Sequence, residues 1–80
     1  MWVIQQTRNY PETEAQKAMT VTSYFQHMGM FMSFTSNIDN AKRFRTRQDA
    51  EQFVNTYFDI LPSDVIAFVD VGETKQKERF

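Results

Sequence analysis

The apolar residues of this chain are mostly aromatic or β-branched, and this feature constrains its fold more than any other. The chain has 80 residues, which include eight Phe and six Val but a single Leu. Aromatic and β-branched side chains fit the pleated surface of a sheet, where they pack against neighbours on the same face. We therefore expect a β-sheet to form the main layer of the fold.

The length of the chain limits it to one domain. We assign residues 1–72 to a single α+β domain and residues 73–80 to a charged C-terminal tail. A chain of this size buries only about 60% of the surface that it exposes when unfolded. The core is therefore small, and association with another molecule would add to its stability.

The composition excludes several classes of function. The chain has no Cys, so it forms neither a disulfide framework nor a thiolate metal site or nucleophile. Its net charge of −1 is not typical of a nucleic-acid-binding protein. The longest apolar runs, residues 28–32 and 65–69, are far too short to cross a bilayer, and the N-terminus does not resemble a signal peptide. We expect a cytoplasmic protein with no membrane partner.

Alternation of side chain character with a period of two predicts four strands. Residues 1–6, 20–27, 30–35 and 64–71 are rich in β-forming types with a period of two. Gly29 falls between the second and third of these segments, where a tight hairpin requires a positive φ. The last segment is apolar on both faces, which predicts a strand that is central or covered on both sides.

One amphipathic helix is predicted over about residues 46–58. Thr46 can cap it, with Asp49 three residues later, and Pro62 ends it. The apolar positions follow helical spacing: Ala50, Phe53, Val54, Tyr57 and Phe58.

The segment between the first two strands leaves two topologies open. Pro11 followed by acidic residues is typical of a short helix, but the apolar stripe of this segment is thin and a loop fits equally well. A helix here would give the ferredoxin-like βαββαβ order. A loop would give a three- to four-stranded antiparallel sheet with one main helix. Both are two-layer α+β folds.

No set of residues points to catalysis. His27 is the only histidine, and no nucleophile, acid pair or metal-ligand spacing accompanies it. We expect no enzyme activity, no bound metal and no cofactor.

A basic cluster precedes the predicted helix, and two interpretations of it remain open. Four cations fall within six residues and can contact phosphates, with Phe44 as a stacking face. Alternatively they form a solvated corner that Asp39, Asp49 and Glu51 neutralise. The four are Lys42, Arg43, Arg45 and Arg47.

The most distinctive segment is residues 24–34, of which eight of eleven are Met, aromatic or His. A hairpin alternates faces, so one helix cannot cover all of these side chains. Either the monomer buries both faces of the sheet, or a partner protein or a second copy covers the rest. The residues we predict at such an interface are Tyr24, Met30, Phe31 and Met32.

Residues 30–71 resemble a module of small phage and prophage proteins. The shared positions are an aromatic strand at Phe34, then Ala41 and Phe44, then a capped helix with Ala50 and Phe53, and a final strand rich in Val and Ile. The resemblance implies a bacterial or phage cytoplasmic setting and a small interaction or regulatory protein that binds a host or phage protein.

The stretch Phe31-Met32-Ser33-Phe34 is similar to the end of the ribonucleoprotein octamer of RNA-recognition motifs, in which aromatic side chains stack on bases. This resemblance implies an alternative function as a single-stranded nucleic-acid-binding module. Tyr24 and Phe31 would then stack on bases, and the basic cluster would contact phosphate.

Overall fold

The computed structural model describes residues 1–72, so the predicted charged tail, residues 73–80, lies outside the described residues. The elements in chain order are β1 (Trp2–Tyr10), β2 (Met19–Met28), β3 (Met32–Thr35), a 3₁₀ turn (Ile38–Asn40), α1 (Arg47–Tyr57) and β4 (Asp64–Asp70).

The strands form one four-stranded sheet in the order β3-β2-β1-β4, and all neighbours are antiparallel. Helix α1 packs on one face of this sheet through Ala50 and Val54, which join a core cluster with Ile4 and Phe25. The predicted α+β fold with a four-stranded antiparallel sheet and one main helix is confirmed.

The ferredoxin-like alternative is not formed, because the strand order differs and the segment before β2 is not a helix. Its backbone turns back on itself, with hydrogen bonds between Thr13 and Gln16 of 2.8 and 3.3 Å. The pairing of β1 with β2 continues as far as Tyr10↔Met19, so both strands are longer than the alternation of side chains predicts. Cross-strand pairing holds this segment extended, whereas its thin apolar stripe gives a helix nothing to pack against.

Strand β4 lies at the edge of the sheet, and the prediction that it is central or covered on both sides is wrong. Ile66 and Phe68 do pack against the core under α1. The valines point to the opposite face, and Val65 is 56% exposed. The apolar character of both faces therefore does not identify a central strand here.

The connection between β2 and β3 also differs from the prediction. Gly29 does not have a positive φ; among residues 1–72 only Gly72 does, at 74°. The connection is longer than a tight two-residue turn and is closed by the Gly29 N–H donating to the Phe31 carbonyl at 3.2 Å. A shift of register between Phe25 and His27 precedes it.

The helix begins as predicted. The Thr46 Oγ1 accepts a hydrogen bond from the Asp49 N–H at 3.0 Å. Arg47 is the first helical residue and Phe58 is the C-cap, so the helix is slightly shorter than the predicted 46–58.

Phe25 is the centre of the core. It is fully buried, and its ring lies 4.9 Å from that of Phe53 and 5.8 Å from that of Phe58. The rings of Phe34 and Phe44 lie at 6.0 and 6.4 Å. The Phe-rich composition thus forms one aromatic cluster between the sheet and α1.

Residues 41–44 complete the sheet where β1 and β2 separate. Trp2 and Phe44 exchange backbone hydrogen bonds of 2.8 and 2.7 Å, and the Lys42 N–H donates to the Phe25 carbonyl at 2.9 Å. Strand β2 pairs with β1 only from Gln5↔Tyr24 onward. Residues 41–44 therefore take the place of β2 beside the first residues of β1.

Candidate functional site

Among residues 1–72, the most exposed of the large apolar side chains lie at the end of the β2–β3 hairpin. Met30 is 92% exposed and Phe31 is 80% exposed, and Met28 beside them is also exposed. We call residues 28–31 the hairpin tip. Neither Met30 nor Phe31 belongs to the core cluster or packs against it.

The other two residues of the predicted interface lie elsewhere. Met32 pairs with Met28 in the sheet and packs partly buried against the core cluster. Tyr24 pairs with Gln5 and Thr35, on the face opposite α1. The structure therefore brings Met30 and Phe31 together and separates them from Tyr24.

That opposite face, which we call the open face, carries a mixture of apolar and polar side chains. Its apolar part includes Val65, Ala67 and Val69 of β4. Next to them, the hydroxyls of Thr7 and Thr22 lie 3.3 Å apart. Helix α1 lies on the other face of the sheet, although Val3, which pairs with Val69, is fully buried on this one.

Most of the basic cluster makes contacts within the chain. The Arg47 Nε donates to the Glu51 Oε2 at 2.9 Å, and its guanidinium lies 5.8 Å from the Trp2 ring and 5.5 Å from the Phe68 ring. Such positions over aromatic rings are typical of cation–π contacts.

The neighbouring cations are also engaged. The Lys42 Nζ lies 5.6 Å from the Phe44 ring centroid, and the Arg43 Nη1 donates to the carbonyls of Ala41 at 3.2 Å and Asp39 at 3.4 Å. The side chain of Arg45 is exposed. Three of the four cations thus make contacts within the chain, and among these the contacts of Arg47 reach the strands, at Trp2 and Phe68.

One ion pair lies at the far end of the sheet from the basic cluster, and the sequence pattern does not reveal it. The Arg8 Nε and Nη2 donate to the two carboxylate oxygens of Asp64 at 2.8 and 3.0 Å, and the Asp64 side chain is 0% exposed. The two residues are 56 positions apart, so no local signal links them.

The environment of Asp64 favours its charged form. The hydrogen bonds from Arg8 lower the pKa of the Asp64 carboxyl, and the Leu61 N–H at 3.1 Å adds to this effect against the opposing cost of burial. In turn the bonds to Asp64 raise the pKa of Arg8. The pair is therefore a fixed structural contact, not a group that exchanges protons near neutral pH.

A cleft of about 370 Å³ lies beside this ion pair, between the C-terminal end of α1 and the outer half of β1 and β2. Tyr57 and Phe58 form one wall, and Gln6 and Val21 belong to the other. The charge of Arg8, which also lines the cleft, is already compensated by Asp64. The cleft therefore has a mixed lining, in which apolar and aromatic side chains lie beside the polar side chains of Gln6, Ser23 and Asp59.

The remaining candidates for chemistry are few. His27 is exposed near the end of β2. Within residues 1–72, no three His, Cys, Asp or Glu side chains lie close enough together to hold a metal ion. The helices of this described part are all too short or too polar to cross a membrane.

Comparison with known proteins adds no relative. No protein-family model, no curated protein and no solved structure matches the chain. The resemblance to small phage proteins therefore stays a prediction.

Proposed function

We propose that this chain is a small, non-enzymatic protein–protein interaction module that binds its partner through the hairpin tip. The observation that carries this proposal is the near-complete exposure of two adjacent large apolar side chains, Met30 at 92% and Phe31 at 80%. Single exposed apolar residues are ordinary on protein surfaces, but adjacent ones at a projecting turn are typical of a binding surface.

The tip has the chemistry of an interface anchor. Burying one Phe or Met side chain contributes about 1.5–3 kcal/mol, and aromatic residues are common among those that dominate binding energy. Methionine has an unbranched and polarizable side chain that adapts to irregular surfaces. Because the described residues, 1–72, do not pack Met30 or Phe31 into the core, these side chains are available to a partner.

The kind of partner follows from the shape of the tip. A hairpin turn with Phe31 at its end fits a concave apolar pocket on another protein better than it fits a flat surface. The resemblance of residues 30–71 to phage and prophage modules supports a host or phage protein as that partner, in a bacterial cytoplasm.

Site-specific photo-crosslinking in the native host tests the proposal. A photoreactive benzoyl-phenylalanine replaces Phe31 in one variant and Tyr57, an aromatic residue that is 56% exposed, in a control. We expect a discrete protein adduct from position 31 that position 57 does not give. Adding Met30→Ser to the first variant should weaken that adduct.

The same adducts from both positions, or none from position 31, would show that the tip is not a binding site. Circular dichroism of each variant confirms that the fold is retained, which is expected because both side chains are exposed.

A further inference from the structure

Strand β4 presents an unprotected edge. It is the outer strand of the sheet formed by residues 1–72, and its pairing with β1 runs without a shift from Asp64 to Asp70. It contains no Lys, Pro or bulge, three of the features by which edge strands avoid pairing with other chains, and its two charged residues lie at its ends. A straight apolar edge of this kind is a template for another strand.

The hydrogen-bonding groups on this edge can be assigned. The Val71 N–H donates to the Met1 carbonyl at 2.9 Å, so Val71 faces β1. The backbone N–H and C=O groups of successive residues in a strand point to alternate sides. Those of Ala67 and Val69 therefore also point toward β1, whereas those of Ile66 and Phe68 point outward. Within residues 1–72, no strand pairs with those outward groups.

The sequence of β4 reads almost the same in both directions: Asp-Val-Ile-Ala-Phe-Val-Asp, centred on Ala67. A two-fold symmetric contact needs a self-complementary surface, in which each residue meets its mirror position on the other copy. In an antiparallel pair of β4 strands centred on Ala67, this pattern makes the apolar residues of one copy meet apolar residues of the other, and the two aspartates meet only at the strand ends.

We propose that a second copy of this chain pairs with β4 in antiparallel register around Ala67, which joins the two sheets into one continuous sheet. In this register Ile66 and Phe68 of the two copies exchange backbone hydrogen bonds. Val65 of each copy lies opposite Val69 of the other on the open face, and the two Ala67 residues face each other. The α1 helices then lie on the same side of the joined sheet.

The charges at the strand ends are compatible with this register. It places Asp64 of one copy opposite Asp70 of the other, but Asp64 is already neutralised by Arg8. Asp70 is exposed and accepts a hydrogen bond from the Gly72 N–H at 2.9 Å, so solvent and salt screen its charge.

The area next to the edge makes the interface larger than a bare strand pair. Val65 is 56% exposed, and Ile60 and Leu61, in the loop before β4, are exposed as well. A second copy paired along β4 would cover the exposed Val65 side chain as well as the strand edge. Stable interfaces bury about 1,200–2,000 Å² in total, far more than one strand edge alone provides, so we expect a reversible, concentration-dependent dimer.

Disulfide trapping tests the register. The chain has no cysteine, so Ala67→Cys introduces a single thiol. Residues facing each other in a pair without hydrogen bonds have Cα atoms about 4.5 Å apart, which a disulfide spans. Val65→Cys is the matched control, because the two copies of residue 65 would lie roughly 13 Å apart.

Mild oxidation should convert most of A67C into a covalent dimer and little of V65C, and an equimolar mixture of V65C and Val69→Cys should crosslink as well. Comparable crosslinking of A67C and V65C would overturn the register. Absence of a dimer in A67C would overturn the proposal.

Sedimentation velocity of the full chain gives an independent measurement. Val65→Lys places charge beside the edge and should abolish the dimer, whereas Val21→Lys, another exposed valine in a strand, should not. A strictly monomeric wild-type chain up to about 500 µM would refute self-pairing. Phe31→Ser should leave the dimer unchanged. The pairing of β4 and the binding function of the hairpin tip are therefore tested independently, and either can be refuted while the other stands.

Discussion

At the scale of single residues, Asp64 shows how a side chain far along the chain fastens the sheet. Its carboxylate is covered and accepts hydrogen bonds from Arg8 on β1 and from the Leu61 backbone in the loop before β4. It thereby connects the edge strand, its neighbour and the connection from α1. Replacing either Asp64 or Arg8 would leave the other charged side chain without its partner in a partly buried position.

We expect Asp64→Asn to lower the urea midpoint at pH 7, and the difference from wild type to shrink as the pH falls. The pKa of Asp64 is lowered in the folded chain, so its stabilisation is fully present above the unfolded pKa of about 3.9. It is then lost as the pH falls through the folded pKa. Urea titrations from neutral to acidic pH measure both effects.

The control for this experiment is Asp59→Asn, which alters an exposed carboxylate at the end of α1 and should leave the midpoint unchanged at neutral pH. An offset for D64N that stays constant across the whole pH range would show that the ion pair does not account for the stabilisation.

Two phenylalanines with opposite surroundings provide a second prediction at this scale. Phe25→Ala should cost about 3–5 kcal/mol, because Phe25 is fully buried among aromatic rings. Phe31→Ala should change stability by less than about 0.5 kcal/mol, because its side chain is exposed. Urea denaturation of both variants measures the contrast. A destabilisation of F31A similar to that of F25A would mean that the tip belongs to the core.

At the scale of elements, α1 is the part that local sequence predicts best. Its cap joins Thr46 to Asp49, three residues away, and its buried side chains Ala50 and Val54 follow helical spacing. Hydrogen bonds and contacts within a few residues decide both features, so the pattern alone is sufficient.

We expect Thr46→Ala to destabilise the chain by about 1 kcal/mol, because the Asp49 N–H loses its acceptor. Thr56→Ala, an exposed threonine inside the same helix, should have a smaller effect or a slight stabilising one. Thermal melts of both variants followed by circular dichroism measure the difference. Equal melting temperatures for T46A and wild type would contradict the role of the cap.

The strands are less completely predicted than the helix. Alternation indicates where strands occur, but β1 extends to Tyr10 and β2 begins at Met19 because each pairs with the other beyond its apolar residues. Likewise, Met32 belongs to the core side of β3 while Met30 and Phe31 project from the turn, a division that depends on where the hairpin bends.

At the scale of the whole molecule, the distribution of charge bears on the nucleic-acid alternative. The net charge is −1, and Lys42, Arg43 and Arg47 all make contacts within the chain. Tyr24 and Phe31, which that alternative requires as stacking residues, do not lie side by side. A continuous electropositive track with adjacent stacking platforms is the usual arrangement for binding single strands.

We therefore expect no binding of labelled single-stranded oligonucleotides at about 50 mM salt, measured by fluorescence anisotropy. Affinity that falls linearly with the logarithm of salt concentration, and that is lost in Arg45→Ala, would instead favour the nucleic-acid function over protein binding. If the chain does not bind nucleic acid, neither the wild type nor R45A should change the anisotropy of the labelled oligonucleotide.

The sequence by itself determined that the chain would form a Phe- and Val-rich sheet with one capped helix and no thiol chemistry, since periodicity, capping and composition act within a few residues. Only the tertiary structure decided that β4 lies at the edge, that residues 41–44 pair with Trp2, and that Arg8 meets Asp64. These features depend on which distant segments pair, and the same alternating pattern is compatible with several pairings, so only the packing of the whole chain selects among them.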